Sequence, residues 1–324
     1  MAPRRRAPPL EEQLAVVRAQ RDAPDTPALR AVLSAQLRGV SLVAARTAQI
    51  IADRRLDGFE GDLRAAWARF ITDPIRRDPS CGAKLAILEA LDAMDDGDLA
   101  LYAAASRLEQ REPAWGPPVD TAPPVRARAA LALGRTISSD ALVLLGALLA
   151  DEAPPVRRAA IEAIEARGGA PAAALLALRF CAGDDDPVAY GECASALVRL
   201  APEEGVALIV PRLSEAGTLL GYALAESRSP AALAALEDWL EGTVLSGGRA
   251  PIIDMIGAHR TDRAEEVLLS LVEDGALSDA ERAIVALARR AATESARQRL
   301  IEATAHDPVL YAAARAALSA VEAD

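Results

Sequence analysis

The chain has 324 residues, a net charge of −11, 52% hydrophobic residues and only 3% aromatics. Its apolar surface therefore comes from Ala, Leu, Val and Ile, which suit thin, closely packed helical layers, and its acidic balance disfavours a nucleic-acid backbone and favours basic or neutral partners. No run of 18 apolar residues occurs, which argues against a membrane partner, and Cys81, Cys181 and Cys193 lack CxxC spacing, so they read as small core residues in a reducing, cytoplasmic compartment.

Residues 1–9 contain three consecutive arginines with no apolar segment behind them, and this reads as a disordered tail, not a secretory or twin-arginine signal. From residue 10 onward, apolar residues recur at i, i+3, i+4 and i+7 between Pro, Gly and Asp, the pattern of short amphipathic helices. Helices are expected near 10–20 and 27–37, then in pairs at 41–54 with 61–71 and 79–94 with 97–109. The rhythm breaks at 111–124 (REPAWGPPVDTAPP), where five prolines surround Trp115 and predict a semi-rigid extended insert. Two readings of it stand: a partner-binding protrusion, or a connector whose tryptophan plugs a gap between two parts of the molecule.

Beyond the insert each pair has a first helix, A, and a second, B. A helices are expected at 124–135, 154–167, 187–200, 218–227, 249–259, 278–290 and 308–321, with B helices at 138–150, 170–179, 230–240, 262–272 and 293–303. One phrase recurs: DTAPPVRARAALALG at 120–134, DEAPPVRRAAIEAIEARG at 151–168 and DPVAYGECASALVRL at 186–200. Its valines, Val125, Val156 and Val188, lie 31 and 32 residues apart. Fixed self-similarity at this period predicts a stack of about nine units running as a single array over 10–324. Within each unit Asp120, Asp151 and Asp186 supply a carboxylate to the amides that open an A helix. Pro124, Pro155 and Pro187 occupy the first turn, where a missing N–H costs nothing. Val125, Ala129 and Leu133, then Val156, Ala160 and Ile164, form the buried stripe. Arg126 and Arg157 follow the preceding aspartate by six residues, a spacing that predicts pairing with a carboxylate of an adjacent unit.

At these residues the chain resembles the HEAT repeat, in the short bacterial form first described in phycobilin lyases: Asp, Pro-Val-Arg, then an Ala-rich run. Asp151, Pro155, Val156, Arg157, Ala159, Ala160, Ala163 and Ile164 carry the match. The third copy has Ala189 where the arginine belongs, and the last has Leu310 after Asp307, Pro308 and Val309. The resemblance implies an all-α fold, a right-handed superhelical solenoid of about nine helix pairs whose B helices line the concave surface. It also implies a range of roles, from scaffolds and adaptors to lyase subunits and base-excision enzymes.

Chemistry-bearing patterns are few. The two histidines, His259 and His306, sit in no HExxH and beside no cysteine pair, and both are expected near helix C-termini, facing the dipole or solvated. Phosphate-binding loops and a nucleophile elbow are absent from the sequence. No catalytic residue, metal or cofactor is therefore expected. Trp67 and Trp239 fall at apolar helical positions and read as core or core edge. Charge is more informative: the B segments and flanks beyond Leu200 hold thirteen carboxylates, Glu215 among them, against Arg212, Arg263, Arg297 and Arg299. Glu203, Glu204, Asp262 and Glu294 are explained by first-turn positions. Glu237, Asp238, Glu241, Glu266 and Glu273 are not, and they are either a solvated face or a binding strip. The expected function is a non-enzymatic scaffold or adaptor that holds a protein or peptide bearing Lys or Arg on the concave helix layer, with Trp115 as a further contact. Two alternatives remain, a HEAT-like DNA glycosylase acting on alkylated bases and a bilin lyase subunit.

Overall fold

The computed structural model describes residues 8–244, 246–291 and 293–323, and the described chain divides into two compact units, Met1–Arg167 and Gly168–Asp324. The expected N-terminal tail lies, for residues 1–7, outside the described residues.

The first unit contains α1 (Leu10–Ala19), α2 (Pro27–Leu37), α3 (Ser41–Asp53), α4 (Glu60–Ile71), the single turn α5 (Pro74–Arg77), α6 (Gly82–Ala93), α7 (Leu99–Ala105), a β-hairpin, α8 (Pro123–Arg135), α9 (Asp140–Leu148) and α10 (Pro154–Arg167). Helices α1, α3, α6, α8 and α10 pack in succession as the A layer, and α2 with α4, and α7 with α9, lie in the B layer. Local chemistry sets the helix starts. Thr26 Oγ1 accepts from Leu29 N at 3.2 Å, and Asp98 Oδ1 accepts from Leu101 N at 3.0 Å, each satisfying an amide that the helix leaves open.

The helix expected at 79–94 begins at Gly82 instead. Ser80 and Cys81 both turn left-handed at φ 59°, while the Asp78 carboxylate reaches past them to the amides of Ala83 and Lys84, both at 2.9 Å. A side chain outside the helix thus takes over the capping, and the residues between form the turn that allows it. Asp78 also pairs with Lys84 at 2.9 Å, and both side chains are fully buried.

The second unit contains α11 (Gly169–Ala182), α12 (Pro187–Leu200), α13 (Pro202–Ile209), α14 (Leu213–Glu226), α15 (Pro230–Gly242), α16 (Ser246–Ala258), α17 (Asp262–Asp274), α18 (Leu277–Arg290), α19 (Glu294–Ala303) and α20 (Pro308–Ala323). Here α12, α14, α16, α18 and α20 pack in order as the A layer, while α11, α13 and α15, and α17 with α19, form the B layer. Helix α14 starts five residues before the expected 218, because only a 3-10 turn at Val210–Arg212 separates it from α13.

The buried stripe confirms the repeat in the first two copies and shifts it in the others. Val125, Ala129, Leu133, Val156, Ala160 and Ile164 are all fully buried. Helices α8 and α10 open with two prolines, whereas α12 and α20 open with one, so Val188 and Val309 arrive a residue early and face solvent. Ala189 and Leu310 take the buried position, and Ala189, Cys193 and Leu197 continue the stripe of α12. Tyr190 then occupies the position of Arg126 and Arg157, and its ring stacks on Phe180 with centroids 4.9 Å apart.

Candidate functional site

Arg126 is a heavily bonded side chain of the repeated phrase. Its guanidinium donates to Asp120 Oδ2 at 2.6 Å, to both oxygens of Asp151 at 2.7 and 2.9 Å, and to the Leu108 carbonyl at 2.9 Å. Burial works against the charge, but the hydrogen bonds from Asp151 and Asp120 outweigh it and raise the guanidinium pKa. For Asp120 burial favours the neutral acid, and the Gln110 amide and the Arg126 fork together hold its carboxyl below the usual range. Arg157 donates to the Asp151 and Glu152 carbonyls at 2.9 and 3.2 Å. The expected cross-unit pairing is therefore realised at Arg126, where it ties α8 to the start of α10.

The 111–124 insert is not extended. Arg111–Glu112 and Val119–Asp120 pair antiparallel, with Arg111 opposite Asp120 and Glu112 opposite Val119. The Glu112 carboxylate anchors the hairpin, accepting from Ser80 N at 2.6 Å, Gln110 Nε2 at 2.7 Å and Thr121 Oγ1 at 2.7 Å. These bonds, with that of Thr121 foremost, hold its carboxyl below the ordinary value. Trp115 stands at the tip, fully exposed, so it plugs no gap.

The acidic candidates divide into two groups. Glu237 on α15 and Glu266 on α17 both pair with Arg263, at 3.3 and 3.2 Å, and these bonds raise the arginine's pKa. Arg263 itself lies on α17, so its pair with Glu237 links α15 to α17, whereas its pair with Glu266 is an i,i+3 contact within α17. Asp238, Glu241 and Glu273 are exposed, as is Asp274 beside them, and none forms an ion pair among the described residues. Glu265 is used internally, with Arg299 of α19 at 2.7 Å. The side chain of Glu215 lies outside those described.

Trp67 is buried in α4, as its position predicts, and has no open face on which to stack a base. Trp239 is half-buried against two glycines of α14: a Cβ at Gly217 would lie 2.9 Å from its ring, and one at Gly221 equally close. Gly217 and Gly221 are four apart, and that spacing is the sequence signal by which this seat for an indole is recognisable. His259 directly follows the end of α16, the helix C-terminal position expected, but it is not solvated. It is fully buried after α16, with Nδ1 3.0 Å from Thr261 Oγ1 and Nε2 3.1 Å from the Ser229 carbonyl, and burial lowers its pKa. His306 lies 2.9 Å from the Ala303 carbonyl at the end of α19, the C-terminal position expected. Cys81 and Cys193 are buried, as expected of core residues, and burial pushes the Cys193 thiol up to about 12, whereas Cys181 near the end of α11 is exposed and corrects that expectation. Among the described residues no group of three or more His, Cys, Asp and Glu is placed to hold a metal, and no helix is long and apolar enough to cross a membrane.

Two features have no counterpart in the sequence reading. Arginines at A-helix ends reach carbonyls at and just beyond the C-terminal end of the preceding A helix: Arg167 to those of Thr136 and Ser138 after α8, and Arg290 to that of Gly257 in α16 and those of His259 and Thr261 after it. They satisfy orphan acceptors at helix C-termini and bind repeat to repeat. In the second unit, a groove of about 1140 Å³ opens where the N-terminal ends of α11, α13 and α15 meet, floored by Ala173, Ala174, Ala177, Leu197 and Pro230.

Residues 119–198 match the model of the HEAT repeats family. The chain is also similar to a solved structure, the complex of CpcE and CpcF of phycocyanin lyase from Nostoc sp. PCC7120, at 18% identity and a TM-score of 0.34, over 93% of this chain and 96% of that one. No curated protein matches. Residues 119–198 thus resemble HEAT repeats, and each of the two units of this all-α chain is built of packed helix pairs.

Proposed function

We propose that this protein is a non-enzymatic scaffold that holds a basic protein or peptide on the B-helix layer of its second unit. One observation carries the reading: Asp238, Glu241, Glu273 and Asp274 are exposed on α15 and α17, without an ion pair among the described residues, while Arg263 of α17 pairs across to Glu237 of α15. Unmatched carboxylates on a rigid support attract cations at little cost in ordering, since the scaffold is already in place. Trp115, on its hairpin in the first unit, is proposed as a second contact, because an exposed indole on an anchored turn presents a large apolar area with few rotatable bonds.

A decalysine peptide tests the charge component directly. Binding to the full chain is expected to weaken steeply with salt. Asp238→Lys, Glu241→Lys and Glu273→Lys combined are expected to reduce it at least tenfold at low salt. An unchanged affinity and salt dependence in the triple variant refutes the assignment.

A further inference from the structure

We propose that the groove at the N-terminal ends of α11, α13 and α15 docks an amphipathic peptide helix, with small aliphatic side chains on its inner face and Lys or Arg along one edge. The floor is apolar and made of short side chains, Ala173, Ala174, Ala177, Leu197 and Pro230 among them. Helix α11 is the source of this surface. Its one charged residue, Arg179, is engaged by Asp184, and its outward face, Pro171, Ala174 and Leu178, repeats at helical spacing with Leu178 69% exposed. Ala170, Ala173, Ala174 and Ala177 of this helix line the groove, an apolar surface of the kind a partner covers, in contrast to isolated exposed apolar residues.

Charge identifies the occupant. Glu203 and Glu204 line the same groove from the first turn of α13, exposed and without an ion pair among the described residues, and they outnumber Arg228, the one cation in its described lining. The outward face of α15 begins at the groove with Pro230 and reaches Asp238 and Glu241 further along. At 1.5 Å per residue, the surface changes from apolar to acidic over roughly 16 Å along α15. A complementary ligand has an apolar stripe followed or flanked by cations. A helix fits better than a strand, because the described residues of this unit contain no strand edge to extend. The open volume of about 1140 Å³ also exceeds the usual small-molecule pocket of roughly 300–1000 Å³.

The basic edge of this ligand rests on the charge reading above, whereas its apolar face does not, and titration of three synthetic peptides against the full chain separates the two. The first is a 16-residue helix with Leu and Ala on one face and Lys on the other. The second has the same composition with the leucines spread around the helix, and the third is decalysine. The amphipathic peptide is expected to bind at least tenfold more tightly than the redistributed one. Ala174→Gln places a longer polar side chain on the groove floor at unchanged charge and is expected to lower that binding at least fivefold while leaving decalysine unaffected. Ala170→Gln, at the groove's exposed margin, supplies an independent variant should the first alter folding. Equal affinity for the two leucine peptides, or indifference to both substitutions, overturns the groove assignment even if decalysine still binds. Loss of decalysine binding alone, with the amphipathic peptide still sensitive to Ala174→Gln, supports the groove and refutes the carboxylate strip.

Discussion

Replacing Arg126 with methionine keeps much of the aliphatic stem and removes the fork that joins α8 to the start of α10. The Arg126 side chain is 9% exposed, and its partners Asp120 and Asp151 are 22% and 10% exposed. Removing one member of such a pair leaves carboxylates short of a cation in a poorly solvated place, at a cost of about 3–5 kcal/mol. Asp120 keeps the amides of Gln110 and Ala122, and Asp151 keeps that of Ala153, so the lower end applies, about 3 kcal/mol. For a unit of this size, each kcal/mol moves the midpoint by roughly 2–4 °C, which gives a fall of about 6–12 °C in the transition of the first unit. Far-ultraviolet circular dichroism follows that transition. A cycle with Asp151→Asn is expected to return a coupling of at least about 1.5 kcal/mol.

Acid supplies a further control. A carboxyl held below its ordinary pKa contributes stability that is present above the unfolded value and lost as pH falls through the folded one. Asp120 is such a group, so the gap between wild type and Arg126→Met is expected to narrow between neutrality and about pH 3. A loss under about 1 kcal/mol at neutral pH, or a gap indifferent to acid, refutes the view that this arginine ties the repeats together.

Three other outcomes follow from single contacts. A Cβ at Gly134 would sit 2.9 Å from that of Ala163 and 3.0 Å from its Cα, so Gly134→Val is expected to separate α8 from α10 and lower stability by about 1–3 kcal/mol, read from urea midpoints. His259 is neutral in its buried seat with a lowered pKa; its contribution is complete above the unfolded value of 6.5 and declines as pH falls below it. Between pH 7.5 and 5.5 the second unit is expected to lose stability at up to about 1.4 kcal/mol per pH unit, and His259→Gln, which titrates nothing, is expected to abolish that slope. Trp115→Ala is expected to leave the thermal midpoint unchanged, within about 0.5 kcal/mol, while removing the tryptophan emission that iodide quenches most readily.

Legibility followed the range of the interaction. Most helices of the pairs were readable from apolar spacing and prolines, because these act within one turn of chain, whereas α13 was not expected and α6 and α14 start three and five residues from the expected positions. Arg126 was readable as a cross-unit contact for the same reason, since the phrase carries both the cation and its carboxylates. Glu237 and Glu266 were not distinguishable from Asp238 and Glu241, because all four are acidic residues on B helices. Only the position of Arg263 separates the two that pair with it, Glu237 from α15 and Glu266 within α17, from the two that do not. The hairpin was hidden by its prolines: the residues that shape it, Ser80 and Thr121, donate to Glu112 from outside the strand pair.

By itself the sequence determined an all-α chain of repeated helix pairs, since helical periodicity and capping are properties of neighbouring residues. Tertiary structure decided what each surface is for. Whether Val188 or Ala189 faces inward depends on how the single proline of α12 sets that helix against α14. The apolar groove exists because the ends of three B helices, each unremarkable alone, meet across some 30 residues of chain apiece. Side-chain direction, set by contacts between distant helices, separates scaffold from available surface in this protein.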